Sequence, residues 1–410
     1  MDLAGAGMTG DILFLAHRRP FPPDRGDSIR SWNILNALAD IAPVHLVSFG
    51  EADDAASAAL VEVCASVQLI PHRRTKIGAM AASLLSGRPA SVELFRSAAF
   101  AKAVSAAMAA YPVRVIYVFS GQMAQYAPTG GQGPRFVMDF TDVDSQKFAS
   151  YAKAGGVSGL ANRIEAAWLL RFERAVAARA DVSLFVSAAE EALFRRVSGL
   201  AEPATAVLEN GVDLTRFCAG TWPRPQAAGD APLIVFTGQM DYLPNIDAVT
   251  WFAHEVLPLI RDRQADARFA VVGRAPTEAV RALGALPGVI VTGEVPDTRP
   301  WLSAAQVVVA PLRIARGIQN KVLEAMASAK AVVASPEAAE GIDACHGKEL
   351  LIAQTAPAQA DAVLSLLHDP ARRVAMEAAA RAAMEARYSW AAKLAPLASY
   401  IGMNARQVAA

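Results

Sequence analysis

"ARGIQNKVLEAMASAKAVVAS", residues 315–335, sets a polar start against an apolar run that closes on two valines. At 3.6-residue spacing, a helix over 318–329 gathers Ile318, Val322, Ala325, Met326 and Ala329 on one face. Asn320, Lys321 and Glu324 then fall together on another. The closing "AVVAS" reads as a buried strand, and a helix feeding such a strand is the repeating unit of a parallel sheet covered on both faces. Arg316 and Gly317 precede the first turn, where unpaired N–H groups and the helix dipole attract an anion such as phosphate. "VVVAPL" runs into this loop, which puts the polar group at the carboxyl end of a strand, where open α/β sheets bind ligands. Glu324 is placed there to accept hydrogen bonds from sugar hydroxyls. The plain alternative is an exposed Lys321–Glu324 pair of the common i,i+3 kind.

Outward from this stretch, short β-rich runs recur between helical segments. "DILFLAH", "VHLVSF", "VRVIYVF", "RFVMDF" and "DVSLFVS" form one series, and "LIVFTG", "RFAVVG", "VIVTG", "VVVAPL" and "AVVAS" a second. Two series predict two Rossmann-like halves of an α/β protein. The 410 residues exceed what one core usually supports, in agreement with two domains. The proline- and glycine-rich "TWPRPQAAGDAP", residues 221–232, marks an exposed connection. The expected domains are therefore 1–205 and 231–390, joined by a linker over 206–230. A C-terminal helix in 391–410 has the option of packing back on the first domain.

Charge excludes more than it assigns: 39 basic and 39 acidic residues cancel, so no global field favours nucleic acid as a partner. Cys64, Cys218 and Cys345 are odd in number and far apart, which suits a reducing compartment rather than a disulfide framework. No uninterrupted apolar run reaches the roughly 18 residues of a spanning helix, and the N-terminus lacks the basic start of a secretory signal. A cytoplasmic location is expected. The six histidines, His17, His45, His72, His254, His346 and His368, are too scattered for metal-ligand spacing.

"GIQNKVLEAMASAKAVVAS" resembles the donor-site signature of GT-B glycosyltransferases of the large retaining family 4. "LENGVDLTRF", residues 208–217, is similar to the segment ending that family's N-terminal half, and "VFTGQMDYLPNIDAVTWFAHEVLPLI" to the opening of its nucleotide-binding half. "PPDRGDSIRSWNILNALA", "DFTDVDSQKFASYA" and "PLRIARGIQNKVLEAMA" resemble a bacterial subgroup associated with exopolysaccharide assembly. The resemblance implies a GT-B fold, with parallel sheets facing a central cleft. It implies transfer of a sugar from a nucleotide-diphosphate donor to a saccharide or lipid-linked acceptor, with retention and with neither cofactor nor obligate metal.

Carried over residue by residue, the donor would meet Gly238, Asn245, Gly317, Ile318, Asn320, Lys321 and Glu324 in the second half, and Gly26 in the first. The family commonly has two glutamates eight positions apart. Here Glu324 fills the second position and Arg316 stands in the first. The arginine and lysine often found after the first glycine loop are absent from "TGQMDYLPNIDAV". Charge developing on a leaving diphosphate must therefore be met elsewhere. Arg274, Arg313, Arg316 and Lys321 lie at predicted strand ends, with Arg316 and Lys321 preferred and solvated loop charges the alternative for Arg274 and Arg313.

In the first half, "HRRPFPPDRGDSIRSWNIL" reads as a loop before a helix starting near Ser28. Ile29, Trp32, Leu35 and Leu38 form its buried stripe, with Arg30 and Asn33 pointing away. "FVMDFTDVDSQ" ends a strand in Asp139, Asp142 and Asp144, and Thr141–Asp142 stand where the family often has a histidine. His17, Arg30, Asp142 and Asp144 are the acceptor-side candidates, with Asp142 placed to orient or deprotonate a hydroxyl. Other readings are helix capping by Asp144 or Ser145, and a metal-binding D-x-D, which two Rossmann-like halves disfavour. "PHRRTKIGAMAASLLSGRP", residues 71–89, reads either as a core helix with a charged start or as a peripheral membrane contact. A nucleotide-sugar epimerase and a non-catalytic scaffold protein are the rival functions.

Overall fold

The computed structural model describes residues 10–23, 25–51, 54–128, 133–152, 156–220, 222–314 and 318–403. The chain divides into two compact units, Met1–Asn210 with Lys393–Ala410, and Gly211–Ala392.

The first unit is built on seven strands: β1 (Asp11–Ala16), β2 (Val44–Phe49), β3 (Ser66–Ile70), β4 (Val113–Phe119), β5 (Arg135–Thr141), β6 (Val182–Phe185) and β7 (Thr205–Val207). Their order is β3-β2-β1-β4-β5-β6-β7, every pair parallel. The order reverses between β1 and β4, the switch point at which open sheets leave a crevice beyond their carboxyl ends. Helices cover both faces, so Ile12, Leu13, Phe14 and Leu15 of β1 are all fully buried. Phe14 stacks on Tyr117 of β4 at 5.3 Å between ring centroids.

The helix Gly26–Ile41 departs from its sequence reading. Its buried residues are Ser28, Arg30, Ser31, Ile34, Leu35, Leu38 and Ile41, so Arg30 points inward. The reason is a partner on β5. Arg30 donates to both carboxylate oxygens of Asp139, Nη2 at 3.2 and 3.0 Å, while Tyr117 donates to the same carboxylate at 2.8 Å. A charged residue tolerates such burial only when paired and hydrogen-bonded. Nη1 of Arg30 donates to Asn210 Oδ1 at 2.8 Å.

The second unit repeats the plan with β8 (Leu233–Thr237), β9 (Arg268–Val272), β10 (Val289–Gly293), β11 (Val307–Ala310), β12 (Val332–Ala334) and β13 (Leu351–Ile352). The order is β10-β9-β8-β11-β12-β13, again wholly parallel, with its switch point between β8 and β11. Among the described residues, no helix is long and apolar enough to cross a membrane.

The described residues of 206–230 are in large part exposed, as expected of a connection, but are anchored at several points. Leu208 and Ala228 are fully buried. Arg224 donates to the carbonyls of Ala304 and Ala231 at 2.9 Å, and the Arg299 guanidinium lies over the Trp222 ring at 4.1 Å. Proline and glycine here shape a segment docked by arginine, a role their composition does not distinguish from a free linker. At the C-terminal end, Arg135 donates to the Tyr400 carbonyl at 2.9 Å and Tyr400 donates to Val207 at 3.1 Å, which holds the segment after Lys393 in the first unit.

Gly211 explains the glycine of "LENGVDLTRF". A Cβ there would stand 2.5 Å from Trp390 Cα, because Val212 donates to the Tyr388 carbonyl at 2.7 Å and brings the two backbones together. Overpacking against a backbone that has no room to yield costs about 1–3 kcal/mol. Gly211→Ala is accordingly expected to lower the thermal midpoint by several degrees in calorimetry; an unchanged midpoint would contradict this contact.

Candidate active site

The loop after β8 and the loop after β9 approach as bare backbone. Gly238 N donates to the Val272 carbonyl at 3.0 Å, and Met240 N to that of Arg274 at 2.9 Å. A Cβ on Gly273, whose φ is +153°, would fall 1.7 Å from Gly238 O. One on Gly238 would meet the Asn245 amide at 2.8 Å. Gly273 requires glycine and a Cβ at Gly238 would displace the Asn245 amide, and the packing leaves a cavity of about 540 Å³ beyond the carboxyl ends of β8, β9 and β10.

The helix Asn320–Ala327 closes the other side. Val322, Ala325 and Met326 are buried as the periodicity requires, Leu323 and Ala327 are buried beside them, and the helix stops short of Ala329, whose φ is +52°. Gln319 is its N-cap, and Ile318 precedes the first turn rather than joining it. Ile318, Asn320, Lys321 and Glu324 line the cavity with Gly238, Asn245 and Arg274. Seven of the sequence candidates thus converge on one space. Arg316 and Gly317 lie outside the described residues.

Lys321 and Glu324 are not the exposed ion pair of the plain alternative. Lys321 Nζ donates to Asn245 Oδ1 at 2.5 Å and sits 4.8 Å from the Phe236 ring centroid. Asn245 in turn donates to the Gln239 carbonyl at 2.8 Å. Burial lowers the Lys321 ammonium to about 8 against the pull of Glu324, and burial raises the Glu324 carboxyl to about 7 against the pull of Arg216 and Lys321. Such a pair, desolvated and held apart, is a frequent mark of a functional site. Arg274 donates to Gln239 Oε1 at 3.0 Å at the rim.

Arg313 falls elsewhere, and Gly26 lies in the first unit, where its sequence reading put it. Arg313 is exposed, pairs with Asp247 and lies over Trp251 at 5.8 Å, so it does not line the cavity. Gly26 opens the helix Gly26–Ile41 and lines a cavity of the first unit; a Cβ there would meet nothing within 4 Å. Sequence reasoning missed Arg216, Gln239, Glu294 and Thr298. Arg216 stands in the quoted "LENGVDLTRF", but its nearness to Glu324 depends on Arg381. That guanidinium donates to the carbonyls of Phe217 at 2.7 Å and Ala327 at 2.6 Å, and so ties the two segments together.

The first unit has a cavity of about 380 Å³ at the carboxyl ends of β1, β4, β5 and β6, lined by His17, Arg30, Asp142 and Asp144 among others. Ser120, just past β4, and Thr141, which ends β5, hold φ of +77° and +68°, a conformation uncommon for residues with a Cβ. His17 is paired with Asp27 at 3.2 Å; this hydrogen bond first, with Arg18 and His17 charge, lowers Asp27 to about 2 despite its burial. Arg30 borders the cavity but its guanidinium is committed to Asp139, which makes it a support of the wall. Burial raises Asp142 and Asp144 against the pull of Lys147. Neither Asp144 nor Ser145 caps the helix Asp144–Tyr151. Glu190 and Glu173 accept from the Val143 and Ser145 N–H groups at 2.8 and 3.0 Å instead. Among the described residues, no cluster of three His, Cys, Asp or Glu side chains is arranged to hold a metal ion.

Residues 231–369 match the family model described as glycosyl transferases group 1. No curated protein matches the chain by sequence. Among solved structures, the chain is similar to HepE of Anabaena, crystallised with UDP. The two are 18% identical over 96% of this chain and 99% of that one, with a TM-score of 0.63. Sucrose-phosphate synthase of Thermosynechococcus elongatus is 19% identical over 95% and 97%, TM-score 0.61. WaaG, a glycosyltransferase involved in lipopolysaccharide biosynthesis, is 14% identical over 95% and 99%, TM-score 0.61. The fold is GT-B, and the cavity carrying Lys321 and Glu324 lies in the matched segment.

The Glu324 shift has a testable sign. Its native pKa of about 7 lies above the ordinary 4.5, so the stability that its protonation contributes is fully present below about 4.5 and is lost as pH rises to about 7. Between pH 5 and 7 the melting temperature should fall further for the wild type than for Glu324→Gln, which stays neutral. Parallel curves for the two proteins would refute the shift.

Proposed function

We propose that the protein is a glycosyltransferase that binds a nucleotide-diphosphate sugar in the second-unit cavity and a saccharide or lipid-linked acceptor in the first-unit cavity. The single observation that carries the donor assignment is Lys321, a half-buried ammonium fixed by Asn245 on a wall that also presents Glu324. A partly desolvated cation that a neutral amide holds, with no carboxylate on it, is suited to an anionic ligand. The first turn of the helix Asn320–Ala327 adds N–H groups that find no acceptor within the helix. Lys321 and Arg274 receive the charge that develops on the departing diphosphate. Glu324, close to half-ionised at neutral pH, accepts from hydroxyls of the ribose. Asp142, with its pKa raised, orients or deprotonates the acceptor hydroxyl.

The family resemblance supports retention of configuration at the sugar, transfer without an obligate metal or cofactor, and membership of the retaining family 4. The subgroup motifs support a role in exopolysaccharide synthesis, at a cytoplasmic location with access to the inner face of the membrane. UDP, bound in HepE, is the first nucleotide to try.

A thermal-shift series over nucleoside diphosphates and their sugars tests the donor site, because a ligand that prefers the native state raises the midpoint. One base should stand out. Lys321→Met should weaken that ligand by roughly 10- to 100-fold, the worth of a charged hydrogen bond. Wild-type affinity should decline as pH passes about 8, where Lys321 loses its proton, and the variant should show no such decline. No stabilisation by any nucleoside diphosphate would remove the proposal. Incubation of the donor sugar without acceptor separates the rivals, since an epimerised product belongs to an epimerase. Binding without turnover against any membrane extract belongs to a scaffold.

A further inference from the structure

The helix Lys76–Ser86 of the first unit is turned opposite to its core-helix reading. Its buried residues are the small Ala79 and Ser83. Ile77, Met80, Leu84 and Leu85 are 82%, 57%, 76% and 91% exposed. At about 100° per residue these four occupy an arc of roughly 140° centred on solvent. A water-facing helix ordinarily carries charge along such an arc, and four large aliphatic side chains in one stripe form a patch that marks an interaction site.

Charge within the segment that carries the patch is one-sided in a chain with none overall, and the Glu165 carboxylate that reaches this segment is buried, accepting from Ala90 and Ser91. Residues 71–96 hold Arg73, Arg74, Lys76, Arg88 and Arg96 against the single carboxylate of Glu93. Glu93 is fully buried and draws in three of these arginines: Arg74 at 3.2 Å, Arg96 at 3.4 Å and Arg88 at 3.6 Å. One buried anion thus pins three cations beside the helix and leaves their surplus positive charge facing water. Arg73 and Lys76, both exposed, extend it along the start of the helix. A cavity of about 590 Å³ opens among the same groups, lined by His72, Arg73, Arg74 and Arg96 over Phe49 and Leu94.

We infer that this face docks the protein on an anionic bilayer. The aliphatic stripe enters the acyl boundary, the arginines lie at the level of the phosphates, and the cavity seats a lipid headgroup. Aliphatic side chains flanked by cations on one face of a short helix match the interfacial mode of membrane binding. The inference stands on this surface alone and needs no donor, so it survives or fails separately from the transfer reaction.

The full chain should sediment with vesicles of phosphatidylcholine and phosphatidylglycerol, and at least about tenfold less with phosphatidylcholine alone. Raising salt to ~0.5 M should weaken retention through screening. The double variant Ile77→Asp with Leu84→Asp, and separately Arg73→Glu with Lys76→Glu, should each lose about tenfold or more. Far-UV circular dichroism and the thermal midpoint should stay at wild-type values, since all four side chains are exposed. No retention of the wild type on anionic vesicles, or retention equal in the variants, overturns the inference. So does a dimer in light scattering that the Ile77→Asp, Leu84→Asp variant abolishes, because the face would then be covered by a second copy of the chain.

Discussion

The hydrogen bond from Lys321 to Asn245 holds the candidate donor site together. It joins the helix after β11 to the helix after β8, across the switch point of the second sheet, and a second bond from Asn245 fixes the Gln239 carbonyl in the glycine loop. An ammonium in that place is satisfied by a neutral amide, with Glu324 one turn away contributing only at a distance. Its charge is therefore kept available for a ligand. A direct Lys321–Glu324 salt bridge would have neutralised both groups and left nothing to recognise an anion.

The first unit uses the opposite device at the corresponding end of its sheet. Arg30 is matched by Asp139 and Asn210, and Tyr117 donates to the same Asp139 carboxylate, so the guanidinium braces the wall of its cavity. Titratable freedom there passes to Asp142 and Asp144, which desolvation makes more basic. The second unit's cavity thus presents the Lys321 ammonium beside Glu324, and the first unit's presents Asp142 and Asp144, the groups to which the proposed function gives phosphate recognition and hydroxyl activation. Glu93 shows a third arrangement, one buried carboxylate holding several arginines at the surface.

Much of this was legible in residue order. Ten strands were readable, nine because central parallel strands are buried on both faces and announce themselves as continuous apolar runs, and the edge strand β10 from its β-branched VIVTG. β3, β7 and β13 were not, being edge strands of two to five residues, with β3 and β7 only partly buried. The helix bearing Glu324 was legible because its apolar period is strong. Arg30 was misread since periodicity assigns a charged residue to the solvent face, and the carboxylate that reverses this lies 109 positions away. The helix Lys76–Ser86 was ambiguous for a related reason: its pattern is amphipathic, but a pattern does not state which side the protein covers.

The amino-acid order by itself determined the two-sheet architecture, the glycines at the strand ends and the grouping of Asn320, Lys321 and Glu324 on one helical face, because each follows from local periodicity and backbone allowance. Tertiary structure alone decided which of the charged groups is free to act. Arg313 is drawn off by Asp247 and Arg30 by Asp139, while Arg216 is brought toward Glu324 by Arg381, all through contacts between residues 54 to 164 positions apart. Availability of a charge is set by its partners and its solvent, and both are properties of packing rather than of neighbouring residues in the chain.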